Sequence, residues 1–217
     1  MTTSSGNIIP FNPLDKKNLG ASVAEAMLEQ KPQPLGELQQ FWGVGIYAIY
    51  YVGDFEPYKP LADRNRNNVF HAPIYVGKAV PKGARKGGGV GEIRSRALYD
   101  RLREHAESVG LANNLNIEDF FCRFLVVDDI WIPLGESLLI AKFSPLWNAL
   151  IDGFGNHDPG SGRYQGYRPR WDVLHPGRAW AEKCRPREET QEQIARDVKT
   201  YFSSFPFPAS HHVLASE

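Results

Sequence analysis

Residues 44–52 read Val-Gly-Ile-Tyr-Ala-Ile-Tyr-Tyr-Val, a run of Ile, Tyr and Val held between Gly43 and Gly53. Side chains of this kind at this density predict a strand, because β-branched and aromatic groups pack well on a pleated, half-buried surface. A second stretch, 72–77, ends in Tyr75-Val76-Gly77 and predicts another strand. Between the two lies a polar run, Asp63-Arg64-Asn65-Arg66-Asn67-Asn68. Further out, Leu98, Leu102, Ala106 and Val109 recur at helical spacing and predict a helix over 94–110. Arg101 and His105, one turn apart, then share a face of it. Residues 120–127 alternate as a third strand with Phe120, Cys122, Phe124 and Val126 on one side. Pro133 announces a further helix that carries Leu138, Leu139, Ile140 and Phe143, stops before Pro145, and places Glu136 in its first turn.

The order strand, strand, helix, strand, helix predicts an α+β fold, a small central mixed or antiparallel sheet flanked by helices. Residues 1–40 hold Pro10, Pro13, Pro32 and Pro34 around a helical candidate at 19–30, which reads as an N-terminal arm packed on the domain or on a partner. The catalytic domain is expected over 41–184. A C-terminal extension follows over 185–217, with an amphipathic helix at 188–202.

A chain of 217 residues with 42% apolar content can bury one sizeable core. Lys+Arg and Asp+Glu both number 25, so net charge says nothing about a polyanionic partner. Its distribution does. Between Val76 and His105 lie the basic residues Lys78, Lys82, Arg85, Lys86, Arg94, Arg96, Arg101 and Arg103 against the acids Glu92, Asp100 and Glu104, and a second basic stretch runs over 163–187. Such patches suit a phosphate backbone, although a solvated charged face is the commoner origin of charge alone. The two cysteines, Cys122 and Cys184, are far apart and lack CxxC spacing, which excludes a zinc ribbon and argues against a disulfide framework. No signal pattern opens the chain and no apolar run approaches the ~20 residues of a membrane span, so a soluble cytoplasmic protein of a prokaryote is expected. The glycines at 87–91 lack the GxxxxGK[ST] order of a nucleotide phosphate loop, and His211-His212 is no metal motif.

Either tyrosine, Tyr47 or Tyr75, would alone be an ordinary buried strand residue. Tyr47, Tyr75, Lys78, Arg101, His105, Glu136 and Asn148 form a more specific ordered set. Gly45-Ile46-Tyr47 followed by Tyr75-Val76-Gly77-Lys78 resembles the GIY-YIG nuclease superfamily, with helical Arg101, helical Glu136 and the later Asn148 in the superfamily's order. Over about residues 41–184 the segments PIYVGKAVP, REH, PLWN, DGFGNH, WDV and HPGR-WAEKC are similar to the branch of type II restriction endonucleases that cut CCGCGG. Two features depart from the superfamily pattern. The second motif is YVG instead of YIG, and the interval between the tyrosines is much longer than its usual ten or so residues, though such an insertion is itself a feature of that branch.

The chemistry of phosphodiester hydrolysis fits the same set, because it needs an activated water, charge neutralisation at phosphorus and a stabilised leaving oxygen. Glu136, the one carboxylate, is the expected ligand of a single Mg²⁺ per site. Lys78 and Arg101 would contact the scissile phosphate. Tyr47 is the expected general base with His105 accepting or relaying its proton, and Tyr75 would position water or phosphate. Exchanged tyrosine roles, or His105 as base, are the alternatives. Asn148 has a structural alternative, tying the chain after Pro145 to the sheet, and Glu136 has one as a first-turn acid stabilised by the helix dipole.

Cleavage of duplex DNA at a palindrome calls for a homodimer, and a restriction enzyme for a cognate DNA methyltransferase. Candidate base readers are Arg64, Asn65, Arg66, Lys82, Arg85, Lys86, Arg163, Arg168 and Arg170, any of which could instead face phosphate or solvent. Rival readings are a repair or homing nuclease and a non-catalytic DNA-binding protein on the same scaffold.

Overall fold

The structure is a computed structural model that describes residues 12–80 and 95–204. Its centre is a four-stranded sheet in the order β1-β4-β2-β3, formed by β1 (Gln33–Pro34), β2 (Gly45–Tyr51), β3 (Tyr75–Ala79) and β4 (Phe120–Val126). Every pairing is antiparallel, so of the two sheet types expected the antiparallel one is formed. Helix α1 (Lys16–Glu29) precedes the sheet, and α2 (Lys59–Ala62) lies in the long interval between β2 and β3. The remaining helices are α3 (Ala97–Leu111), α4 (Ile132–Phe143), α5 (Leu146–Ala149), α6 (Arg170–Leu174) and α7 (Gln191–Ser204).

Strand β2 is buried along its whole length because both faces of the sheet are covered. Its even-numbered side chains, Ile46, Ala48 and Tyr50, enter one apolar cluster with Ala24 and Met27 of α1 and Ile132, Leu139 and Phe143 of α4. Its odd-numbered side chains, Tyr47, Ile49 and Tyr51, enter another with Leu98, Leu102 and Val109 of α3, Trp147 of α5, Trp171 of α6 and Ile194 and Val198 of α7. The period of two along a strand therefore sorts the helices into two layers. Strand β4 obeys the same alternation except at its end, where Val126 is 57% exposed. Strand β3 forms one edge of the sheet.

The N-terminal segment expected as an arm packs on its own chain: Ala24 and Met27 are fully buried, and Gln33 and Pro34 pair with Cys122 and Phe121 of β4. Arg123, also on β4, is buried and pins this junction by donating to the carbonyls of Gln30 and Phe70 at 2.7 Å each. The residues between β2 and β3 likewise fold inward, burying Tyr58, Leu61, Ala62 and Asn65.

Candidate active site

Cross-strand partners in an antiparallel pair point to the same face. Tyr47 stands opposite Gly77, Ile49 opposite Tyr75, and Ile46 opposite Lys78. Register therefore sends Tyr47 and Tyr75 toward α3 and Lys78 toward α4. The glycine at position 77 is required by contact: a Cβ there would lie 2.4 Å from the Tyr47 hydroxyl and 2.6 Å from its Cζ, so the phenol lies directly over the strand at that point.

On the α3 side, Arg101 and His105 project from successive turns. The Tyr47 hydroxyl lies 2.6 Å from His105 Nε2, and both side chains are 1% exposed. The Tyr75 ring approaches the imidazole edge-on, with centroids 5.2 Å apart. Arg101 donates from Nη2 to the carbonyl of Gly155 at 2.7 Å and from Nη1 to Glu104 at 3.1 Å, and it also meets the His157 imidazole. On the α4 side, Lys78 Nζ donates to Glu136 Oε2 at 2.6 Å. Glu136 lies on the fifth residue of α4, beyond its first turn, which corrects the expected position and removes the helix-dipole account of this glutamate. Its ion-pair partner is Lys78, 58 residues away in sequence. The lysine and glutamate side chains are 40% and 19% exposed, so this half of the site is open to solvent.

The protonation states follow from burial and nearby charge. Burial pushes the Tyr47 phenol well above the ordinary tyrosine range; Tyr75 adds to that shift and Arg101 opposes it. Tyr75 is also raised, by burial first, with Arg101 opposing and Glu136 reinforcing. Burial depresses His105 well below the ordinary histidine range, helped by the charges of Arg101, His157 and Arg178. A neutral phenol therefore faces a neutral imidazole across a short hydrogen bond. That Glu136 bears on both tyrosines shows that the two halves of the site interact electrostatically around the edge strand.

The Eco29kI GIY-YIG domain family matches residues 39–202. The chain belongs to that family. It is a nuclease of a restriction-endonuclease family, with DNA as substrate. No curated protein matches it. Among the described residues no helix is long and apolar enough to cross a membrane.

Within this Eco29kI-type domain, Tyr47, Tyr75, Arg101 and His105 come together on one side of β3, and Lys78 and Glu136 on the other. Asn148 takes neither side. Its amide accepts from Val76 N–H and donates to Val76 C=O, both at 2.8 Å, so it extends the outer edge of β3 as a short piece of strand would. Of the nine expected base readers, Asn65 is buried and Arg66, Arg168 and Arg170 hold partners within the chain. Asn65 is fully buried, donating to the carbonyls of Tyr51 and Ala72 and accepting from Ala72 N–H, which leaves it no access to a base edge. Arg66 spends its guanidinium on the Val52 and Gly53 carbonyls and on Asp54 and Asp63. Arg168 holds the Ala181 carbonyl and Glu182. Arg170 holds the Leu150 carbonyl, Glu189 and Asp197. In each case side chains of a polar run that looks solvated in sequence take partners from other parts of the chain, although Arg170 Nε is buried without one. Arg64 and Arg163 are exposed. Lys82, Arg85 and Lys86 lie outside the described residues.

Three participants were not singled out from sequence. Phe154 stacks on His105 with ring centroids 4.5 Å apart and an interplanar angle of 17°. A Cβ on Gly155 would fall 2.8 Å from the Tyr75 hydroxyl and 3.0 Å from Arg101 Nη2, so this glycine lets the loop close over both. His157 contacts Arg101. All three lie in the DGFGNH segment, whose glycines are its only local signal.

Proposed function

We propose that this protein is a type II restriction endonuclease that hydrolyses both strands of DNA at a short G·C-rich palindrome, CCGCGG, as a Mg²⁺-dependent homodimer paired with a cognate DNA methyltransferase. The observation that carries the catalytic part is the Tyr47–His105 contact at 2.6 Å, flanked by Arg101 and facing the Lys78–Glu136 pair around one edge strand. The palindrome rests on the resemblance of segments such as PIYVGKAVP and HPGR-WAEKC.

Glu136 is chemically suited to hold the metal. It is a partly exposed carboxylate, and Mg²⁺ commonly takes one or two carboxylates and completes its shell with waters and substrate phosphate. Mg²⁺ at Glu136 would supply positive charge to the scissile phosphate. Arg101 and Lys78 would bind the phosphate oxygens, with Arg101 exchanging its loop contacts for them in part. Tyr47 would take a proton from the attacking water as its own proton passes to His105 Nε2, so that no free phenolate has to persist in the buried site. The water oxygen bonds to phosphorus, the bond from phosphorus to the leaving deoxyribose oxygen breaks, and that oxygen collects a proton from solvent. Tyr75 would orient the water or the phosphate.

The test is incubation with plasmid DNA, with and without Mg²⁺, followed by sequencing of the product ends. Discrete ends within CCGCGG are expected, and only with metal. Ends at random positions would leave nuclease chemistry and reject the restriction enzyme. Tight DNA binding with no cutting would overturn the catalytic reading.

A further inference from the structure

Arg178 is 2% exposed and lies more than seventy residues after Arg101 and His105 in the chain. Its guanidinium has five N–H donors. Each is matched: Nε and Nη2 donate to the two Asp172 oxygens at 2.6 Å each, Nη2 donates also to the Gly153 carbonyl at 2.9 Å, and Nη1 donates to the carbonyls of Phe154 and Asn156 at 3.0 and 3.1 Å. The planar cation is boxed between Trp171 and Trp180, 4.5 and 4.8 Å from their ring centroids. Three carbonyls of one four-residue loop thus converge on a single buried cation. That loop is the wall of the catalytic site, since its Phe154 ring stacks on His105 and its Gly155 carbonyl receives Arg101.

We propose that Arg178, anchored by Asp172, is a positioning residue for DNA cleavage. It fixes the 153–156 loop so that Phe154 presses His105 against the Tyr47 hydroxyl and Gly155 holds Arg101 beside it. The inference rests on the nuclease reading above and deepens it. No smaller cation replaces the guanidinium: a lysine offers three donors from one atom and cannot span a carboxylate and three carbonyls in one plane. Misplacement of catalytic groups by about 1 Å can cost ~100-fold in rate, which is the scale on which the loop matters.

Two variants test it, each checked for folding by circular dichroism: Arg178→Lys, and Phe154→Leu, which keeps both members of the buried ion pair and removes the stack on His105 together with the ring contacts to Tyr75, Trp147 and Trp171. For each, kcat and KM are measured on plasmid DNA, and the His105 ring is titrated by NMR in metal-free protein. The expected result is a fall in kcat of about 30- to 100-fold with KM within about threefold of the parent, together with a His105 titration moved up toward the ordinary histidine range as water reaches the ring. If Arg178→Lys does not fold, Phe154→Leu carries the same pair of readouts. Parental kcat in a folded variant overturns the proposal. So does a fall in kcat with the His105 titration unmoved, because the loop would then act by another route. Should the parent cut no DNA, the nuclease reading fails by itself, and the titration still reports whether the loop holds His105.

Discussion

Two buried tyrosine–histidine pairs sit on the same side of the sheet, and their local geometry is the same. Tyr47 lies 2.6 Å from His105 Nε2, and Tyr58 lies 2.6 Å from His175 Nε2. In both, burial raises the phenol and depresses the imidazole, His175 to about 3. The difference lies in what surrounds them. Tyr58 also accepts from Trp147 Nε1 at 2.9 Å, His175 Nδ1 is satisfied by the Asn114 amide oxygen at 2.8 Å, and burial alone accounts for the histidine's shift. That pair is a closed neutral network inside aromatic packing. Around Tyr47 and His105 the charges of Arg101, Glu136 and His157 reach in, and the Arg101 side chain is 22% exposed. A hydrogen bond between phenol and imidazole therefore does not make a proton-transfer site. Access to a charged reactant does.

Removing one hydroxyl from each pair should separate them most sharply. Tyr47→Phe is expected to lower kcat by about 10²- to 10⁴-fold, the usual loss for a general acid–base group, while Tyr58→Phe cuts DNA within about threefold of the parent rate. Plasmid cleavage under single-turnover conditions makes the comparison. Equal losses in the two variants, or a Tyr47→Phe protein that cuts like the parent, would erase the distinction.

Both histidines must be neutral in the folded protein, which gives a pH dependence of known sign. Their folded pKa values lie below the unfolded value near 6.5, so the unfolded chain binds protons that the native one does not, and stability is lost as pH falls below about 6.5. His175 should contribute about 2 kcal/mol of loss between pH 7 and pH 5, and His105 a loss of the same sign. Urea midpoints across that range measure it, and a His175→Gln variant should show a visibly shallower dependence than the parent. An unchanged slope would mean that His175 is already charged or solvated.

Tyr58→Phe should also cost about 1 to 3 kcal/mol, since it strands the buried Trp147 and His175 groups. Tyr47→Phe should cost less stability, because the Arg101 guanidinium lies beside that pair; a reversed order would place the closed network there. Asn148→Ala should have the smallest effect, about 1 kcal/mol in thermal or urea unfolding, from the two lost bonds to Val76.

Much of the fold was legible because it is periodic. The alternation in 44–52 and 120–127 and the helical spacing of Leu98, Leu102 and Val109 depend only on which side chains face apolar surroundings, and they mark β2, β4 and α3. The pairing of Arg101 with His105 on one helix face was local and readable for the same reason. Short elements were not. Gln33 and Pro34 are too few to show a period, and they form a strand only because β4 offers an unpaired edge. Polar residues are the least legible: Asn65, Arg66, Arg168 and Arg170 look solvated in a chain of letters, and each takes partners brought from elsewhere.

By itself the sequence determined β2, β3 and β4, the long helices and the ordered set from Tyr47 to Glu136, because apolar periodicity and residue order are properties of the chain. Only the tertiary structure decided which of the two tyrosine–histidine pairs faces charge, that Lys78 partners Glu136 around the edge of β3, and that Arg178 holds the loop behind His105. Those contacts join residues dozens of positions apart, and their energies depend on burial and distance, which exist only once the chain has folded.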